Sequence, residues 1–376
     1  LNLPDIKSYQ FIDIKNDTVF LDTTLTINKH YRFNYLRKDN FNLLKFSNIG
    51  QTYNELTYSS GNLSIYPKMN FDSKKHAYIR SDEVNYYQVP TPLTELLFKT
   101  VMKQGQHTDA FFSTNLSEKL NFSLAFKGLR SLGNYQNILS GSKQFRFTTK
   151  YNSSNEKYNF RFHYVTQSFE NKENGGLDDE SIINFESEDP LFNERSKLSV
   201  KFENAINNFT SKRYFINQEF LLNNKKSNNS ISIGHSFEYE TVKNIFEQSN
   251  ASKFYGDLIL GASNVSDRTN IKSSKNEFYT YLNSNYFGKI KVIYTNYNYN
   301  YSVNVMSDTN KKINENENAV SFKFDRNLFG HKFEFDIAKN LFGDRLSDFV
   351  TINVSSDRKL KYDIGFSVIR KHPGLY

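Results

Sequence analysis

Two neighbouring segments carry cations at spacings that let them act together. Arg146 and Lys150 alternate with Phe145, Phe147 and Tyr151, and Arg161 and His163 alternate with Tyr158, Phe160, Phe162 and Tyr164. If the segments pair as a hairpin across Asn152–Lys157, Arg146 opposes His163 and Thr148 opposes Arg161, so the cations share one face. Lys127 and Arg130 on the preceding segment are expected to extend that patch. Arg and Lys rings inside a pore set an anion preference, because they replace lost hydration and concentrate anions. The alternative is ordinary inward polarity, balanced by carboxylates elsewhere on the same face.

Other chemistry finds little support. The seven histidines, at 30, 76, 107, 163, 235, 331 and 372, show no paired ligand spacing, so no metal site is expected. His235 in Ile231-Ser-Ile-Gly-His-Ser-Phe237 shares a face with Ile231, Ile233 and Phe237, but no serine and acid partner it as a hydrolase would require. Asp178-Asp179-Glu180 and Glu186-Ser-Glu-Asp189 offer oxygen ligands without calcium-loop spacing, and are expected to be solvated loop charge. Phosphate-binding glycine motifs are missing, so neither catalysis nor a cofactor is expected.

Composition narrows the class. Hydrophobic residues make up 38% of the 376 residues, yet aromatics reach 16%, with 35 Phe and 25 Tyr. Disordered chains are poor in aromatics, whereas a wall with one greasy and one wet face needs both kinds of residue. No apolar run is long enough for a membrane helix, which leaves a closed barrel as the only spanning structure. The chain has no cysteine, so disulfides and thiolate chemistry are excluded. It starts at Leu1 with no leader, as if a signal peptide had been removed or never included. The net charge of +8 fits an anion-attracting lumen or scattered solvated lysines, and no basic nucleic-acid reader motif accompanies it.

The elements that must position these residues are alternating strands. Leu120, Phe122, Leu124 and Phe126 form a ridge, and Ser117-Glu118-Lys119 joins it to Phe112, Thr114 and Leu116. Pairing Leu116 with Leu120 places Thr114 against Phe122 and Phe112 against Leu124. Further strands are expected at Arg213–Leu222, Ser230–Val242, Glu277–Tyr286, Lys289–Val303, Ala319–Arg326, His331–Lys339, Phe349–Ser355 and Leu360–Ile369. Within Lys289–Val303 the apolar phase slips from Ile290, Val292 and Tyr294 to Tyr297, Tyr299 and Tyr301, which predicts a bulge near Thr295-Asn296. Short turns alternate with polar loops at roughly 170–211, 244–275 and 304–317, the asymmetry of outer-membrane barrels. Ser199–Glu203 is assigned to the first of these loops.

Residues 107–376 are thus expected to be barrel wall, incomplete at the C-terminus. Residues 1–106 alternate less cleanly. Val19, Leu21 and Leu25 suggest a strand, as do Tyr31, Phe33 and Tyr35; Lys68–Arg80 is irregular, and Leu93–Val101 is a first wall strand. This part is expected to cap, plug or line the barrel mouth. Twelve strands after residue 107 leave the last one running toward the long loops, and His372–Tyr376 begins a turn. That parity predicts the N-terminal portion of a longer protein.

Four strings sharpen the assignment. Phe46-Ser-Asn-Ile-Gly-Gln-Thr-Tyr-Asn54, Val89-Pro-Thr-Pro-Leu-Thr-Glu-Leu96, Gln104-Gly-Gln106 and Lys127-Gly-Leu-Arg-Ser-Leu-Gly133 together resemble the putative β-barrel porin family of Bacteroidota. The resemblance implies an outer-membrane barrel of a Gram-negative bacterium, and carries over no catalytic or ligand residue. The expected fold is all-β, a transmembrane antiparallel up-and-down β-barrel with about 14 strands visible. The expected function is passive diffusion of small hydrophilic solutes, with a weak anion preference and outer-membrane lipid as surroundings. The alternative is a non-conducting barrel that partners a transport or secretion assembly, through membrane protein partners or as a homo-oligomer. A soluble secreted β-protein conflicts with the Phe/Tyr ridges.

Overall fold

The computed structural model describes residues 4–14, 17–22, 24–57, 64–66, 76–101, 103–223, 229–250, 255, 264–305, 309–342, 347–356 and 361–370. Positions 68–75, Leu360 and 372–376, for which strands, irregular structure or a turn were expected, lie outside these residues, as do parts of the connections at 223–229, 244–275 and 356–359.

The N-terminal part forms two small sheets. β1 (Gln10–Ile12) lies between β2 (Thr18–Phe20) and a later strand, while β3 (Leu43–Lys45) pairs with β4 (Tyr53–Glu55). The third strand of the first sheet is β5 (Tyr86–Gln88), which pairs Phe11 with Tyr87. The expected strand around Tyr31, Phe33 and Tyr35 does not form. Ile27–Arg32 is a 3-10 helix that contains Tyr31, with Phe33 as its C-cap.

Val89-Pro90-Thr91-Pro92 then leads stiffly into the wall. Its strands are β6 (Leu93–Val101), β7 (Gly105–Ser117), β8 (Leu120–Ser131), β9 (Ser140–Asn152) and β10 (Tyr158–Glu173). After the short helix α1 (Asp179–Glu186) come β11 (Ala205–Leu221), β12 (Asn229–Gln248), β13 (Val265–Ser284) and β14 (Gly288–Val305). β15 (Thr309–Leu328), β16 (His331–Phe342), β17 (Asp348–Ser356) and β18 (Tyr362–Arg370) complete it. All 13 run antiparallel to their sequence neighbours, which bears out the expected up-and-down architecture. Among the described residues β6 and β18 do not pair with each other, so the sheet is an open arc.

Several expected boundaries shift, for one reason. Among the described residues, much of the loops expected at 244–275 and 304–317 is strand: β12 pairs with β13 out to Gln248 and Val265, and β14 with β15 out to Val305 and Thr309. These stretches are mostly polar, yet the ladder satisfies their backbone groups whatever the side chains are. No bulge occurs at Thr295-Asn296. Its register runs unbroken on both sides, so the change of apolar phase is a change of which face carries aromatics. The 117–119 turn does contain an irregularity: Thr114 meets Phe122 and Phe112 meets Leu124, but Ser117 rather than Leu116 pairs with Leu120. Ser199–Glu203 lies in the β10–β11 connection, where Val200 bridges Leu177.

The two faces of the arc are inverted relative to a soluble sheet. Outward side chains such as Leu96, Phe278 and Phe366 are 75%, 55% and 62% exposed, while inward Arg213, His163 and Gln144 are 1%, 0% and 2% exposed. Water would penalise a bare face of this kind, and hydrocarbon would not. The buried apolar clusters all include or adjoin N-terminal residues. Val84 and Tyr86 pack with Val165, Tyr35 and Leu36 with Leu129, and Tyr78 against Phe169, Phe209 and Tyr299. The core therefore lies between the inner face of the wall and the N-terminal segment.

Candidate functional site

Lys127, Arg146, Lys150, Arg161 and His163 occupy inward positions on β8, β9 and β10. Arg130 does not join them. It is three residues from Lys127 on an alternating strand, so it faces outward and is exposed. The cross-strand register also differs from expectation by two residues: Arg161 pairs with Lys150, His163 with Thr148 and Val165 with Arg146. The turn accounts for the shift. Ser153 N donates to Tyr158 O, Glu156 N donates to Ser153 O and Glu156 adopts φ 55°, so the hairpin closes as Asn152 against Asn159.

These side chains face the N-terminal segment rather than open water. The Lys127 ammonium sits 4.6 Å from the Tyr35 ring centre, and the Arg161 guanidinium 5.5 Å from that of Tyr86. Arg161 also donates to Asp13 O at 3.2 Å, and Lys150 to Gln88 Oε1 at 3.4 Å. His163 stacks on Phe215 with ring centres 4.8 Å apart. Its Nε2 accepts from Arg213 Nε at 3.3 Å. A guanidinium can only donate, so the ring proton is on Nδ1, which donates to Tyr86 Oη at 2.9 Å.

Arg213 is the hub that alternation alone did not single out. It pairs with Glu240 at 3.2 Å and donates to Ile79 O at 2.8 Å, while the Tyr78 hydroxyl donates to the same carboxylate. Burial pushes the Tyr78 and Tyr86 phenols up, so both remain protonated. Beside this hub Gln167 grips the backbone of Ile79 at both ends, accepting from its N at 2.8 Å and donating to its O at 3.0 Å. Gln144 donates to Ala77 O at 2.7 Å. Several buried polar groups of this stretch are thus answered by the N-terminal segment and others by the wall itself, as Ser123 is by Thr148 at 2.6 Å, which lowers the cost of burying them.

A second anchor lies at the far end of β8. Asn48 donates to Ser131 O at 3.0 Å and Ile138 O at 2.7 Å, and accepts from Ser131 Oγ at 2.6 Å. Two residues on, Gly50 adopts φ +88°, and a Cβ there would lie 2.2 Å from Leu129 Cδ2. Only glycine fits both the backbone and the space. The Phe46–Asn54 string is thus a docking loop.

The remaining candidates have structural employment. His235 faces outward with Ile231, Ile233 and Phe237 and stacks on Phe278, with ring centres 4.6 Å apart. Asp178 caps α1 by accepting from Ser181 N at 2.7 Å, and Asp189 accepts from Leu191 N at 2.8 Å. Elsewhere the inner face carries ion pairs more open to solvent: Lys323–Asp336 at 2.9 Å, and Lys332 with Asp325 at 3.4 Å and Glu334 at 2.5 Å.

Among solved structures, the crystal structure of ferric citrate transporter FecA in the unliganded form is similar at 9% identity and a TM-score of 0.39, over 70% of this chain and 48% of that one. The chain thus spans about half the length of that transporter. No protein with a curated description matches it. A family model described as putative porin matches residues 5–376, and the chain belongs to that family.

Proposed function

We propose that the chain is an outer-membrane β-barrel through which small hydrophilic solutes diffuse, with the N-terminal segment narrowing the bore. The observation that carries this reading is the inversion of the two faces: an apolar outward surface, and a largely polar inward surface, part of it matched to residues 9–89 and part carrying solvent-open ion pairs on β15 and β16. In this account the outer leaflet and inner leaflet lipids cover the Phe, Leu and Ile ridges.

The basic residues first considered for anion preference have a different part. Lys127, Lys150 and Arg161 hold the N-terminal segment, and the charges that a solute meets are the Lys323–Asp336 and Lys332–Asp325 pairs. Paired charges of both signs favour a bore of weak selectivity. Planar-bilayer recording of the full-length protein under a KCl gradient tests this. Discrete conductance steps with a reversal potential near zero, unmoved by Arg161→Ala, are expected. A folded, inserted protein that passes no current overturns the channel reading. It would support a second one, a non-conducting barrel that serves as partner in a transport or secretion assembly, which the same filling of the bore favours.

A further inference from the structure

The outward surface of β11–β15 changes character part-way along the strands. Toward the short turns it carries Ile233, Val292, Phe278 and Phe322, and on β11 and β12 the ridge runs on through Phe237 to the Tyr214–Tyr239 pair, which is in register with Ser274, Asn298 and Asn316. Toward the long connections come the rows Asn276–Asn296–Asn318, Ser274–Asn298–Asn316 and Lys272–Asn300–Asn314, joined across the register without a break. Four lysines flank them: Lys212, Lys243, Lys272 and Lys312, all outward and exposed. The outward positions of these rows hold no Asp or Glu. Glu238, Glu240, Glu277, Glu315 and Glu317 on the same strands point inward, and the outward Glu247 lies beyond the rows at the long-connection end of β12, paired with Arg268 at 2.9 Å. No described residue forms an ion pair with any of the four lysines.

The asparagines are organised among themselves. Asn296 Nδ2 donates to Asn316 Oδ1 and Asn318 Oδ1, each at 2.9 Å, and Asn298 Nδ2 to Asn296 Oδ1 at 2.8 Å. An open groove of about 430 Å³ crosses this grid, bordered by Tyr239, Lys272, Asn298, Asn300 and Asn316. Carboxamides present a donor and an acceptor side by side, matching paired sugar hydroxyls, and ammonium groups match phosphate.

We propose that this surface binds the phosphorylated sugar headgroup of an outer-leaflet glycolipid. The proposal rests on the outer-membrane reading. Two features select this occupant. The grid continues directly from the lipid-facing ridge, on the side of the long connections that face outward in such barrels, so whatever covers it stands just above the hydrocarbon. Its charge is of one sign, which disfavours a second copy of the same face and favours an anion.

The test is binding of purified short-core lipopolysaccharide to the full-length protein in phosphatidylcholine nanodiscs, with phosphatidylglycerol as competitor. Saturable binding is expected, weakened at least tenfold in Lys212→Glu/Lys243→Glu/Lys272→Glu/Lys312→Glu and unchanged in Lys119→Glu/Lys157→Glu at the short-turn end. Enzymatically dephosphorylated lipopolysaccharide should bind several-fold more weakly. Equal binding by the quadruple variant and the native protein overturns the proposal, and so does complete displacement by phosphatidylglycerol, which would indicate a surface for any anionic lipid. Heat-dependent gel migration separates the two levels of failure. A protein that never inserts removes the outer-membrane reading and this proposal together, whereas one that inserts but does not discriminate removes only the proposal.

Discussion

The inner face of the wall divides into two regions built on the same alternation and differently finished. On β8–β12, many inward polar groups are almost wholly buried and several meet partners on residues 9–89: His163 meets Tyr86, Gln167 meets Ile79, Arg161 meets Asp13. On β15 and β16, Ile65 covers Ala319 and Ala338, but nearer the short turn inward charges pair with each other across the two strands, and the Lys323 side chain is 52% exposed. Similar residue types therefore serve two purposes. Where something covers them they are a fixed docking surface, and where water reaches them they are a wet wall. Charge alone does not tell the two apart; the aromatic residues beside the charges do.

The comparison can be broken most forcefully at its hub. Arg213→Leu strands the Glu240 carboxylate and removes a donor from Ile79 O, and should cost about 3 kcal/mol. The urea midpoint of the micelle-embedded protein measures it, and protease cleavage within residues 9–89 should rise in parallel. Gly50→Val imposes a left-handed backbone on a branched residue against Leu129, at a cost of roughly 2 kcal/mol. Here the loss should appear mainly as cleavage near residue 50, with the wall intact by its heat-dependent gel shift. Gln167→Leu removes both hydrogen bonds to Ile79 and should cost about 1–2 kcal/mol, read by faster amide exchange at residues 77–80. Lys323→Ala, on the wet side, should change stability by less than about 1 kcal/mol. Its effect should instead appear in the reversal potential, which moves toward cation preference as Asp336 loses its partner.

Much of the wall was legible in the sequence, and particular residues show why. Leu93–Val101 is found with the bounds expected of a first wall strand, between the stiff Pro90–Pro92 segment and the turn before Gly105. Strand ends were less legible. Asn314 and Asn316 look like loop residues, but their backbones pair as fully as those of Ile290 and Val292. The hairpin register at Arg161 depended on where the 153–157 turn closes, and one left-handed residue, Glu156, moves it by two. Arg130 shows a plainer failure: residues three apart on a strand point oppositely, which its placement beside Lys127 overlooked.

The docking role of the inward cations had a signal that charge pattern concealed. Val165 and Phe169 alternate with His163, Gln167 and Asn171 on the inward side of β10. A water-filled bore has no use for a valine and a phenylalanine there. Their presence among polar neighbours marks a surface that something dry must cover. Tyr297, Tyr299 and Tyr301 carry the same mark on β14, and were assigned to a bulge because only one apolar face was allowed for. The partners themselves, Tyr78, Tyr86 and Ile79, lie in a segment without clear periodicity. Only the folded chain brings them to the wall.

The central claim is that the N-terminal segment covers the inner face of β8–β12 in the inserted protein. Because the chain has no cysteine, single introduced thiols report on it cleanly. Ser142→Cys lies beneath the Tyr35 hydroxyl, which donates to Ser142 Oγ at 2.8 Å, while Lys323→Cys stands on the wet side of the same face. With a charged, membrane-impermeant maleimide added to the inserted protein, position 323 should label within minutes and position 142 should stay protected until the protein is denatured. Equal and rapid labelling at both positions would contradict the account.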